Sequence, residues 1–205
     1  MNDLGLGLSH ECLSIKWCVN NLKAFSRFQE TMKESEFSCR VANKLDIPSI
    51  TELMRLSIEI NMKAFLSAEQ IEANKESMGV DLTLIEDGSY FVVEASYRGD
   101  KFLVGCGGWS RRRTLFGGNH TKGRDDSFSD PKKEPARIRA MYTHPDWTRK
   151  GIGSLLLFKG EQAARESGFK VIELGSTIPG EPLYAVSYTH LRAHETVLDL
   201  VCRLL

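Results

Sequence analysis

Apolar positions recur along this chain with two alternating periods, and the alternation lays out an α/β domain. Phe37 to Ala42 reads as a strand. Ile50, Leu53, Met54 and Ile58 then fall on one helical face, with Asp46 placed as the N-cap and Pro48 tolerated in the first turn. Ser67 with Gln70 forms a capping-box pattern for a second helix. After the Asp87-Gly88 turn, Tyr90 to Ala95 and Phe102 to Trp109 read as an antiparallel hairpin around Arg98-Gly99-Asp100. Ala136 to Tyr142 is a further strand, Gly151 to Ser167 a helix closed by Gly168, and Phe169 to Leu174 a last strand. A strand, a helix and a strand in that order make a right-handed parallel unit. The predicted succession is β-α-α-β-β-β-α-β, a three-layer mixed sheet.

Two stretches break the periods. Residues 1–36 carry no sustained pattern, Leu22, Phe25 and Phe28 coming nearest to a helix face, and read as a poorly structured leader. Residues 111–135 hold Gly117-Gly118, Gly123, Pro131 and Pro135 and read as a mobile surface loop. That loop carries seven basic against four acidic residues. Its Arg111-Arg112-Arg113 run reads as a solvated face, with attraction of an anionic group at a binding mouth as the sharper alternative.

Composition narrows the class. At 205 residues, with 41% hydrophobic and 26% charged positions, the chain has the make-up of a globular domain. A formal net charge of zero offers no pull toward nucleic acid or membrane. No apolar run approaches the roughly 18 residues of a spanning helix. Five cysteines without a Cys-x-x-Cys pair argue against a disulfide framework and fit a reducing compartment, so the expected location is the cytoplasm, with the nucleus open.

The chemistry concentrates in Ala136 to Leu157, where a strand passes through a glycine-containing loop into a helix. Such a junction aims free backbone N–H groups and the positive end of the helix dipole at one spot, which suits a phosphate or pyrophosphate. The string resembles the cofactor motif of the GNAT superfamily of acyl-CoA-dependent N-acyltransferases, Gln/Arg-x-x-Gly-x-Gly/Ala after a strand ending in a hydrophobic-x-x-Pro segment. Gly151 and Gly153 take the two small positions and Met141 to Pro145 the strand end; Thr148 stands where Gln or Arg is usual, with Arg149 one place later. The resemblance covers about residues 37–186.

It implies acetyl-CoA as cosubstrate. The amides of Arg149, Lys150, Gly151, Ile152, Gly153 and Ser154 would hold the pyrophosphate, and Met141, Tyr142 and Thr143 would lie along the pantetheine arm. Tyr184, in Leu183-Tyr184, matches the family's aromatic element and becomes the candidate general acid; a packed core tyrosine is the alternative. A phenol stays protonated at neutral pH and can hand a proton to a thiolate. No base stands out, since Glu94 and His144 both have ordinary structural readings, and Cys106 between glycines reads as buried and inert rather than as an acyl carrier. The implied activity is direct transfer of an acetyl group to the primary amine of a small molecule or peptide. A non-catalytic acyl-CoA-binding module is the alternative, and a nucleotide-binding regulator a weaker third. No nucleic-acid or membrane partner is expected, and a homodimer stays open.

Beyond Tyr184 the family pattern stops. Ser187 to Leu205 lacks the Gly-Phe turn and the two final strands of the family, and resembles translated adapter read-through. The expectation is a C-terminally truncated acyltransferase with a foreign tail and an exposed edge on its last strand. His190 and His194, spaced i, i+4, lack a third ligand, so no metal site is expected.

Overall fold

The computed structural model describes residues 13–18, 37–77, 79–97, 100–115, 124–176, 180, 183 and 184. Its elements follow in the order β1 (Leu13–Cys18), β2 (Phe37–Val41), α1 (Ile47–Leu56), α2 (Ala68–Ser77), α3 (Leu82–Glu86), β3 (Tyr90–Tyr97), β4 (Asp100–Ser110), β5 (Ala136–Thr143), α4 (Ile152–Glu166) and β6 (Val171–Ser176). The strands form one six-stranded sheet ordered β1-β6-β5-β4-β3-β2. Only β5 and β6 run parallel, as the intervening helix α4 requires. From β2 onward the succession is the one the periodicity predicts, with the short helix α3 added.

Strand alternation sorts the core into two layers. Val92, Cys106 and Tyr142 join Ile50, Leu53, Ile58 and Leu84 under α1 and α3. Val93 and Met141, next to Val92 and Tyr142, pack instead with Ile152, Leu155 and Leu156 of α4, and Val104 joins them where the β3–β4 register shifts. Each fully buried aliphatic side chain stabilises the fold by about 1.5–3 kcal/mol, so the sheet is clamped from both faces.

The helix starts follow local chemistry. Ser67 and Gln70 cap α2 reciprocally, at 2.9 and 3.3 Å. Gly168, at φ +90°, ends the turn after α4 as its position predicts. The α1 entry differs from expectation. Asn43 is the capping side chain, accepting from Leu45 N at 2.9 Å, while Asp46 returns to Asn43 N at 2.8 Å. Asp46 already has helical backbone, φ −79° and ψ −14°, whereas Asn43 has the extended backbone of a capping residue, and the Asp46 oxygens go to Asn43 N and Arg40.

Arg40 shares its guanidinium between Asp46 and Glu94, at 2.7 Å each. Its hydrogen bonds are the largest influence holding both carboxyls below their ordinary range. Depressed carboxyl pKa values add stability above the unfolded values near 4 that is lost as pH falls through the lower folded values. The melting-temperature gap between the unaltered chain and R40M is therefore expected to be full at neutral pH and to close below about pH 3. A pH series of thermal melts checks it.

Two expectations about irregular segments are corrected. Residues 13–18, placed in the leader, form β1 and pair antiparallel with β6 along its whole length, from Leu13↔Ser176 to Cys18↔Val171. The outer edge of β6 is thus covered. The described ends of the 111–135 loop are an antiparallel extension of β4, bridged at Arg112↔Phe128 and by Arg113 N to Ser127 O and Ser129 N to Arg111 O. The reading of the tail from Ser187, with His190 and His194, lies outside the described residues.

Candidate active site

The site begins where β5 loses its partner. β5 and β6 pair only at Ala136↔Ile172, Arg137↔Glu173 and Ile138↔Leu174. On its other side β5 stays paired with β4 as far as Thr143↔Gly105. Residues 139–143 therefore face a splay between two parallel strands. At the foot of the splay Arg137 and Glu173 form an ion pair at 3.0 Å.

A bulge sits in the unpaired stretch. Ala140 has φ +52°, and the β4 register shifts across it. A left-handed alanine is uncommon and persists only where its surroundings enforce it. Here Tyr90 Oη donates to Ala140 O at 2.8 Å, and Asn61 Nδ2 donates to Thr143 O at 2.9 Å. Met141 then points to the α4 side, where Gly107 leaves it room: a Cβ on Gly107 would stand 2.8 Å from Met141 Cγ. Tyr184 Oη contacts Met141 Sδ at 3.8 Å.

The strand ends in a tight loop. His144 Nδ1 accepts from Asp146 N at 3.2 Å and so caps the turn Pro145–Trp147. Arg149 and Gly151 both take left-handed backbone, φ +63° and +84°. Gly151 has no side chain to cap α4, which leaves the first-turn amides of Ile152, Gly153 and Ser154 without a side-chain acceptor. A Cβ on Gly151 would meet nothing within 4 Å, so the space over the loop is open. Lys150 adds positive charge, its Nζ 4.1 Å above the Trp147 ring. A strongly anionic, extended ligand fits this: its charged end at the loop, its arm along residues 141–143.

Comparison with known proteins decides the family. Residues 51–186 match the acetyltransferase (GNAT) family model, about two thirds of the chain. The chain belongs to the GNAT acetyltransferase family. The PaiA N-acetyltransferase of Thermoplasma acidophilum, solved with coenzyme A, superposes with a TM-score of 0.51 at 17% identity, over 75% of this chain and 87% of that one. A GCN5-related N-acetyltransferase structure from Rhodopseudomonas palustris gives 0.50 at 18% identity, over 75% and 81%. These likenesses are of fold. Among curated proteins none matches the sequence.

Set in the GNAT frame, the residues singled out from the sequence divide by face. Met141, Tyr184 and the loop 149–154 lie on the α4 side, and Leu183 Cδ2 would stand 2.8 Å from a Cβ on Gly153. One dipeptide, Leu183-Tyr184, thus reaches from α4 to the middle of β5. The Tyr142 side chain goes to the opposite layer, so only its backbone borders the splay.

The candidate bases fare less well. Glu94 lies two strands away and is held by Arg40, Lys101 and Ser38. His144 lines an apolar hollow of about 590 Å³ with Pro48, Leu53, Phe102 and Trp147. That hollow lies between α1 and β4, across β5 from the splay. Cys106 is fully buried, and desolvation pushes its thiol to about 12, which makes it inert. The arginine run fastens the fold rather than facing the splay. Arg112 forks onto Asp87 and Arg113 onto Glu134, while Arg111 stacks on Phe128. Among the described residues no group of three or more potential metal ligands occurs, and no helix is long and apolar enough to cross a membrane.

Three residues that matter here are not singled out from the sequence. Tyr90 and Asn61 hold the bulge and the strand end, and Asp81 meets Arg139 at 2.7 Å beside the bulge. Asp81 is readable as a helix cap, since it accepts from Thr83 N at 3.1 Å. Its partner 58 positions on is not.

Proposed function

We propose that the chain is an N-acetyltransferase moving an acetyl group from acetyl-CoA to a primary amine by direct transfer. The observation that carries it is the splay of β5 from β6, bordered by a bulge and ending in the uncapped first turn of α4. The amides of residues 149–154 would hold the pyrophosphate, and the backbone of Met141, Tyr142 and Thr143 would align the pantetheine arm. The cosubstrate brings the activated thioester. The chain's own work is orientation, polarisation of the carbonyl by β5 backbone groups, and proton delivery. Tyr184 gives its proton to the departing thiolate as the new N–C bond replaces the C–S bond, and the proton that the amine loses passes through water to restore the phenol.

Thermal unfolding with acetyl-CoA at about a hundred times its dissociation constant is expected to show about 2.7 kcal/mol of added stability. Steady-state release of CoA with an amine panel tests turnover. Y184F is expected to lower the rate by about a hundredfold, within the range for a lost general acid, and to keep the acetyl-CoA-dependent shift. An unchanged rate removes Tyr184 from the chemistry. An acetyl-CoA-independent melt sinks the whole reading.

The second reading is an acyl-CoA-binding module without turnover. It is favoured by the state of the carboxylates near the sheet, since Asp81, Glu94 and Glu173 are each paired with arginine. Binding without CoA release selects it. The cytoplasm remains the proposed location, and the acceptor is a small-molecule or peptide amine.

A further inference from the structure

The insertion between β4 and β5 reaches the bulge through buried charge. Arg124, 8% exposed, donates to Asp81 at 3.2 Å and to Asp126 at 2.8 Å. Asp81, 1% exposed, accepts at the same time from Arg139 at 2.7 Å, and Arg139 is 3% exposed. Asp126 is steadied by Thr114 Oγ1 at 2.8 Å. Arg112 donates to Asp126 O at 2.9 Å and forks onto Asp87 at the far end of α3, 2.7 Å in each arm. Both ends of α3 are therefore gripped by the insertion. The grip passes through one carboxylate to the residue just before left-handed Ala140.

We infer that Arg124 is a positioning residue for acyl transfer: it fixes Asp81, Asp81 fixes Arg139, and that chain of contacts sets the bulge bordering the splay. The inference rests on the acetyltransferase reading for its kinetic consequence alone. Arg124 binds Asp81 and Asp126, neither of which belongs to the cofactor loop or to β6. Arg124 and Arg139 balance Asp81 and Asp126, so the cluster is a fastening rather than a surplus charge awaiting an anion. Buried side-chain contacts of this kind have few alternative arrangements. A strand misplaced by about 1 Å costs on the order of a hundredfold in rate. Arg124 has a planar fork that a lysine lacks, so R124K keeps the charge and restores only part of the geometry.

The test compares the unaltered chain with R124M and R124K at a temperature where all three remain folded. Hydrogen exchange of residues 139–143 is expected to quicken about tenfold in R124M and less in R124K, while α4 from 155 to 164 keeps its protection. In the transfer assay R124M is expected to lose about tenfold in kcat with KM for acetyl-CoA within about twofold. Unchanged exchange in residues 139–143 overturns the inference. So does equal quickening of β5 and α4, which marks general loosening, or a loss confined to KM. If the unaltered chain acetylates no amine, the acetyltransferase reading fails on its own, and the exchange pattern still decides whether Arg124 holds the bulge.

Discussion

Replacing Asp81 by alanine is expected to cost the fold about 3–5 kcal/mol. Both of its arginine partners are almost wholly buried, Arg139 at 3% and Arg124 at 8% exposure. Removing the carboxylate strands two cations in the interior, and the desolvation of each is then uncompensated. Loss of the α3 cap adds about 1 kcal/mol. Against a total stability of about 5–15 kcal/mol that is a large fraction. Urea unfolding should show the loss as a lower midpoint at unchanged slope. The exposed Arg113–Glu134 pair is the contrast: its carboxyl is drawn down to about 2, yet solvent screens it, and E134Q should leave the midpoint nearly in place. Changing Asp81, Arg124 and Arg139 together to apolar residues of similar volume is expected to recover much of the loss.

The second large effect falls on binding. Gly151 sits at φ +84°, and a Cβ added there would find nothing within 4 Å, so the demand is on the backbone and not on space. Valine at such an angle costs about 1–3 kcal/mol and drives the loop toward another conformation. The first-turn amides of α4 then lose their common aim. G151V is expected to lower the melting temperature without ligand by a few degrees and to abolish the rise with acetyl-CoA. G151N, which tolerates the left-handed region, should keep most of that rise. Gly153 differs, because its Cβ would meet the end of the flexible Leu183 side chain. G153A is expected to be the milder change, read in the same melts.

What the sequence discloses follows from range. The loop from Thr143 to Gly153 is legible because the role proposed for it needs adjacent residues: two glycines, a proline and a helix start. The capping box at Ser67 is legible for the same reason. Asp46 misleads because two candidate caps stand three residues apart, and only the folded backbone, extended at Asn43 and helical at Asp46, decides which one takes the role. β1 escapes notice because six residues, Leu-Ser-Ile-Lys-Trp-Cys, alternate too briefly to stand out. Their partner strand also lies at the other end of the domain. The arginine run is visible as charge, but its assignments to Asp87, Glu134 and Phe128 exist only after folding. Tyr184 is legible through the family pattern alone, and its contact with Met141 exists only in the folded chain.

The pairing of β1 with β6 also sets an order of assembly. Leu13 and Ser176 are neighbours in the sheet yet nearly the whole described chain lies between them. Closing so long a loop carries the largest entropic cost of any strand pairing here. Hairpin β3–β4 and the β5-α4-β6 unit close shorter loops and can consolidate earlier. The β1 seam is then expected to zip last and fray first. β6, one wall of the splay, would owe its outer support to the contact that the folding chain makes latest.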